Sequence, residues 1–145
     1  MALGEGLLDA WPGERIDADN AAYFTGLLEH RLLVNRCEDC GRWHHPPRSI
    51  CPRCWSGAVV AREVTGRGRV AFFTILRQGP SRGGADYERG HPLAAIELEE
   101  QDGLRVSGTV IGLPVEDMTE GLAVELTWPD GHGAVDLLRF RAVGR

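Results

Sequence analysis

The chain contains no lysine, and all sixteen of its basic residues are arginine. Arginine makes planar, bidentate contacts with carboxylates and phosphates that an ammonium does not make. Cysteine is absent outside one stretch of eighteen residues, CEDCGRWHHPPRSICPRC, from Cys37 to Cys54. No long apolar run is present. AVELTW and AVDLL fall far short of a membrane span, so the sequence predicts no transmembrane helix. The opening stretch MALGEGLLDAWPGERID lacks the basic segment and apolar centre of a secretory leader. The expected location is therefore cytoplasmic, where paired cysteines bind metal or do redox work more often than they form structural disulfides.

Catalytic signatures are missing too. There is no G-x-S-x-G elbow and no H-E-x-x-H pair. If a metal takes all four cysteines, no free thiol is left as a nucleophile. His91 and His132 fall in glycine-containing loops, and the acids from Glu97 to Glu100, with Asp102, read as the solvated edge of a hairpin. The sequence therefore predicts a chain without catalytic residues of its own.

The remaining composition is that of an ordinary globular protein, with 43% hydrophobic and 26% charged residues over 145 positions. The net charge of −5 is unevenly spread. Residues 31–69 carry eight arginines against Glu38, Asp39 and Glu63, whereas residues 93–130 carry nine acids against Arg105 alone. A basic middle and an acidic second half suit contact with another protein. They suit a nucleic-acid lattice poorly, because nonspecific affinity there comes from a broad positive surface.

The two C-x-x-C pairs are separated by ten residues. Each pair can sit on a tight turn with both sulfurs facing one ion, and two such turns close a tetrahedron of thiolates. Cys37, Cys40, Cys51 and Cys54 are thus the expected metal ligands, for a structural zinc. Iron in the same ligand set, as in rubredoxin, is the alternative that sulfur chemistry leaves open. A redox pair would need only one C-x-x-C, and four thiolates leave no open position for a catalytic water. His44 and His45 read as ordinary polar residues of the ribbon.

Periodicity sets the rest. Residues 1–16 read as a flexible arm broken by Gly4, Gly6, Pro12 and Gly13. DADNAAYFTGLLEH predicts a helix with Tyr23, Phe24, Leu27 and Leu28 on one face, started by Asp17, Asp19 or Asn20. RLLVNR predicts a short strand into the first cysteine pair. VVAREV, RVAFFTILR, PLAAIELEE, LRVSGTVIG, AVELTW and AVDLLRFRAV predict strands, with QDG as a hairpin turn and LPVEDMTEG as a turn or one short helical segment. Between them, QGPSRGGADYERGH is a fourteen-residue loop of the length that is usually functional or disordered. The fold expected is mainly β. It comprises an arm over 1–16, a helix and zinc ribbon over 17–58, and a five-stranded OB-fold barrel over 59–145.

This order of parts resembles one family closely. LLVNRC, C-x-x-C-G, PPRSICPRC, TGRGRVAFFTIL and PLAAIELEEQDGLRVSGTVIG are similar to the acyl-CoA-associated OB-fold proteins with an N-terminal rubredoxin-like zinc ribbon. The resemblance spans about residues 17–128, and its most specific parts are the PPR between the cysteine pairs, the C-P-x-C, and a G-x-G entering a strand. It implies zinc on the four cysteines. It also implies a non-catalytic role beside thiolase-like enzymes, among them lipid-transfer-protein-type thiolases and aldolases that act on acyl-CoA thioesters of steroid side chains or fatty acids. Other members accompany MaoC-like hydratases. The chain departs from the family at Pro92-Leu93, where Pro-Tyr is common.

Further contacts with a partner or with CoA are expected at Arg77, Arg82 and Arg89, with Tyr87, around the long loop. Trp43 and Trp55 on the ribbon are candidate interface anchors. Two other functions compete with the accessory-subunit reading. A nucleic-acid module would need a basic groove with stacking aromatics, of which only Phe72 and Phe73 stand on the strands. A rubredoxin-like electron carrier would be red.

Overall fold

The computed structural model describes residues 5–80, 85–131, 135 and 137–144. They form two compact units, residues 1–65 with 130–135, and residues 66–129 with 136–145.

The first unit begins where the sequence predicts a flexible arm. The described part instead holds a helix, α1 (Glu5–Ala10), with Leu7 and Trp11 buried. The reason is long-range. Trp11 packs its ring 5.0 Å from Phe24, and its indole N–H lies 3.4 Å from the carbonyl of Val135. Neither partner is visible from residues 1–16 alone. The second helix, α2 (Ala21–Leu28), buries Ala21, Gly26 and Leu27. Its start is organised one turn earlier than a simple cap. The Asp17 carboxylate accepts the N–H groups of Asp19 and Asn20, and the Asn20 side-chain oxygen accepts the N–H of Asp17. These bonds close the turn that precedes the helix; Asn20 makes no side-chain bond into the first helical turn, where the Ala21 N–H donates to the Asp17 carbonyl at 3.0 Å.

Three strands make the ribbon: β1 (Leu33–Cys37), β2 (Trp43–His44) and β3 (Val59–Glu63), ordered β2-β1-β3 and antiparallel. The strand β3, which follows the division expected at 58/59, pairs with the ribbon. Val59 opposes Cys37 and Glu63 opposes Leu33, so this strand completes the ribbon rather than opening the barrel. Two ion pairs, Arg62–Glu38 and Arg31–Glu63, join β3 to the residues that flank β1.

The second unit is the five-stranded barrel. Its strands are β4 (Arg67–Leu76), β5 (His91–Leu98), β6 (Arg105–Ile111), β7 (Ala123–Thr127) and β8 (Leu138–Ala142), closed in the order β4-β5-β6-β8-β7. A 3-10 turn, Val115–Asp117, lies between β6 and β7, where a turn or one short helical segment is expected. Strand β5 shows the period of two plainly, with Pro92, Ala94, Ile96 and Leu98 buried and the residues between them half-exposed. In β4 the register shifts between Val70 and Phe72, so Val70 faces the core while Phe72 faces outward, 54% exposed. Phe140 and Ile96 are fully buried in the barrel core, with Val70, Leu98 and Val124 beside them.

Closure runs through a parallel pairing of β6 with β8 and an antiparallel pairing of β7 with both β8 and β4. The acids of the β5–β6 hairpin therefore do not guard an open sheet edge, as expected from sequence. They make contacts of their own: Glu97 accepts the N–H of Gly103 within the hairpin, and Glu99 pairs with Arg67 of β4 at 2.9 Å. The expected fold class, a helix and zinc ribbon followed by a five-stranded OB-fold barrel, is the fold observed. Among the described residues, no helix is long and apolar enough to cross a membrane.

Candidate functional site

The four sulfurs of Cys37, Cys40, Cys51 and Cys54 lie within 4.8 Å of one another. Each pair sits on a knuckle built by the backbone. Gly41 N–H donates to the Cys37 carbonyl at 2.8 Å, and Trp55 N–H donates to the Cys51 carbonyl at 2.9 Å. The knuckles face each other, with Cys37 Sγ 3.6 Å from Cys54 Sγ and Cys40 Sγ 3.6 Å from Cys51 Sγ. Four sulfurs each about 2.3 Å from one ion would stand roughly 3.8 Å apart, so the set fits a tetrahedral dication. Cys37 and Cys51 are buried, whereas Cys40 and Cys54 reach the surface.

Two of the thiols are also prepared electrostatically. The Cys40 N–H holds the Cys37 thiol below its usual value, and the Cys54 N–H brings Cys51 down to about 6. Cys54 goes the other way, to about 12. The Ser56 N–H favours its thiolate, but burial and hydrogen bonds with the other three thiols outweigh that help. A cluster that resists full ionisation by itself is relieved by a dication. With four thiolates as ligands no position stays open for water, so such an ion is structural.

The two histidines of the ribbon are not part of the set. His44, expected as an ordinary polar residue, is buried. Its Nε2 lies 3.3 Å from the Arg48 carbonyl, which also accepts the Asn35 side-chain amide at 3.1 Å. His45 packs 5.2 Å from the Tyr23 ring, and burial holds its imidazole below the usual value.

The other candidates divide. Trp43 is half-buried, with the Arg36 guanidinium 5.4 Å above its ring. Trp55 is 81% exposed. Arg82 and His132 lie outside the described residues. Arg77, Tyr87 and Arg89 come together at one end of the barrel, in or beside an open groove of about 850 Å³. Arg77 donates to the Glu88 carbonyl at 3.3 Å, Arg89 sits 3.6 Å from Asp86, and the Tyr87 hydroxyl donates to the Pro80 carbonyl at 2.7 Å. His91, expected in the loop, is the first residue of β5 and lies 6.0 Å from the Tyr87 ring.

Sequence reasoning missed the far wall of this groove. Arg139 from β8 and the Ile111–Val115 segment are brought there by the parallel β6–β8 pairing, in which Ile111 opposes Arg141. Arg139 stands 62 positions from Arg77, and no local pattern joins them. Asp86, Glu88 and Glu116 also line the groove, so its charge is mixed.

A ribbon carrying four clustered thiols, followed by a closed five-strand barrel, defines the architecture of a zinc ribbon joined to an OB-fold. Residues 24–60 match the family domain described as "ChsH2, rubredoxin-like zinc ribbon domain", and residues 61–129 match "ChsH2, C-terminal OB-fold domain". A DUF35 domain-containing scaffold protein of Pyrococcus furiosus is 36% identical over 98 residues, 68% of each chain. A probable enoyl-CoA hydratase alpha subunit of Thermomonospora curvata is 29% identical over 130 residues. That alignment takes in 90% of this chain but spans only 39% of the Thermomonospora protein. Among solved structures, a chain of the Ltp2-ChsH2(DUF35) aldolase superposes with a TM-score of 0.73 at 30% identity, over 89% of this chain and 98% of that one. A DUF35 protein of Sulfolobus solfataricus shares the fold, with a TM-score of 0.62 at 20% identity over 94% of each chain. The chain belongs to the ChsH2-type DUF35 family of zinc-ribbon and OB-fold proteins.

Proposed function

We propose that the chain is a non-catalytic accessory subunit of a thiolase-like enzyme, of the lipid-transfer-protein thiolase or aldolase type, acting on acyl-CoA thioesters. The observation that carries this reading is the likeness to the ChsH2 chain of an Ltp2-ChsH2(DUF35) aldolase, which extends over 98% of that chain. The scaffold name of the Pyrococcus relative points the same way. In this reading Cys37, Cys40, Cys51 and Cys54 hold one structural zinc. The nucleophile and base belong to the partner, and the complex works in the cytoplasm. Steroid side chains or fatty acyl chains are the substrate class.

In this reading acyl-CoA is taken by the barrel groove. Arg77, Arg89 and Arg139 offer guanidinium groups to phosphates, and Ile111, Leu113 and Val115 offer an apolar wall to the pantetheine arm. A second reading, as partner of a MaoC-like enoyl-CoA hydratase, is favoured by the name of the Thermomonospora relative. A nucleic-acid role has less support, since nine acids lie between residues 93 and 130.

The experiment is an assay of the thiolase-like partner alone and with stoichiometric chain, using acyl-CoA thioesters of both substrate classes. At least a tenfold gain in turnover on adding the chain is expected. Equal turnover, or a gain only when a hydratase is the partner, contradicts the proposal.

A further inference from the structure

Two non-glycine residues with described backbone sit at positive φ: His30 at 57° and Trp55 at 65°. Histidine is enriched in the left-handed region, and His30 follows the end of α2. A bulky tryptophan there is an outlier. Its counterpart in the first knuckle is Gly41 at 75°, the residue type this backbone favours. The second knuckle therefore accepts backbone strain, and the side chain it gains is not used inside the protein. Trp55 is 81% exposed, the most exposed large hydrophobic residue among those described.

The surroundings repeat the pattern. Ile50 is 49% exposed and, with Pro52 and Trp55, lines a shallow concavity of about 440 Å³ that has Arg48 and Asp19 at its rim. The loop carrying Arg48 is pinned from inside. Asn35 and His44, both buried, spend side-chain hydrogen bonds on the Arg48 carbonyl while the Arg48 side chain remains outside. Strain and buried polar contacts together fix an exposed aliphatic, an exposed indole and an arginine in one place. Such a combination has a use when another molecule covers it.

Charge narrows the occupant. The three acids of residues 31–69 are engaged, Glu38 with Arg62, Glu63 with Arg31, and Asp39 with the Ser56 hydroxyl. Among the described residues no carboxylate pairs with Arg48, although Asp19 lines the same concavity. A second copy docking by the same face would bring together two ribbons that each carry eight arginines against three acids over residues 31–69. A nucleic-acid strand would call for several stacking aromatics, and one is present.

We infer that the face formed by Arg48, Ile50, Pro52 and Trp55 is the docking surface for the partner enzyme, with Trp55 entering an apolar socket rimmed by aspartate or glutamate side chains. This rests on the accessory-subunit reading and adds to it the face and the chemistry of its complement.

The test uses the full, metal-loaded chain and the thiolase-like protein that co-purifies with it. Binding is titrated for wild type, Trp55→Gly and Arg48→Glu, and thermal unfolding of each chain alone is recorded. Trp55→Gly is expected to raise the unfolding midpoint of the isolated chain yet weaken binding by at least about 30-fold, as a central anchor does. Arg48→Glu is expected to weaken binding by about tenfold, chiefly at low salt. A folded Trp55→Gly chain that binds like wild type overturns the docking face and leaves the accessory role intact. Failure of wild type to bind any thiolase-like protein overturns both. Self-association that disappears in Trp55→Gly assigns the face to a second copy and overturns the inference as well.

Discussion

Gly41 and Trp55 hold the same place in the two cysteine knuckles. Each follows the second cysteine of its pair, each donates its N–H to the carbonyl of the first, and each has a left-handed backbone, at 75° and 65°. That conformation costs an L-residue about 1–2 kcal/mol and costs glycine little. Gly41→Ala is therefore expected to destabilise the ribbon by about 1–2 kcal/mol, and Trp55→Gly to stabilise it by a similar amount. Denaturant unfolding of the metal-loaded variants measures both. Shifts of the same sign in the two would contradict the equivalence of the knuckles.

Metal removal should act on the ribbon first. The strands β1 to β3 are short, and apparent binding energies for structural zinc run about 10–16 kcal/mol, comparable to the stability of a whole domain. Elemental analysis is expected to give one zinc per chain and a colourless protein. Chelation, or Cys40→Ser, is expected to abolish protection of the β1 and β3 amides in hydrogen exchange while those of β5 and β6 persist. A red protein with iron would reverse the choice of metal and keep the ligand set.

Burial pushes the Tyr23 phenol from 10.0 up to about 12. The folded state thus binds this proton more tightly than the unfolded chain does. The stabilising contribution is complete below pH 10 and is lost as the pH rises through about 12. Phenolate absorbance of a Tyr87→Phe variant, which retains Tyr23 alone, should appear at that higher value. Tyr23→Phe should flatten the alkaline loss of stability in this window. Titration of Tyr23 near 10 would show that it is not buried against Phe24 and His45.

Barrel closure gives a separate prediction. A Cβ at Gly108 would stand 2.7 Å from Phe140 Cε2 and 2.8 Å from the Leu138 carbonyl, where β6 and β8 run parallel. Neither neighbour can retreat, since Phe140 is fully buried and Leu138 is in the pairing register. Gly108→Ala is expected to cost about 1–3 kcal/mol of barrel stability. Thermal unfolding checks it, and a neutral effect would argue against the close β6–β8 approach.

What the sequence makes legible is local. Four cysteines in eighteen residues disclose the metal set, because knuckle geometry is encoded within each C-x-x-C. Alternation discloses β5, and QDG discloses its hairpin. Features set by distant pairing stay hidden. Trp11 looks like part of an arm until Phe24 and Val135 cover it. Val59–Glu63 reads as a barrel strand until its register with Leu33–Cys37 is known. Arg139 joins the groove only through the parallel pairing of β8. Trp55 was visible as a candidate, but its likeness to Gly41 needed the backbone angle.

The central claim is that this chain works as a subunit beside a thiolase-like enzyme. Affinity purification of the tagged chain from its native host, with nuclease treatment and quantitative mass spectrometry, tests it most directly. A thiolase-like protein recovered in near-stoichiometric amount is the predicted result. Recovery of nucleic acid, of a hydratase alone, or of nothing but the chain itself would contradict it.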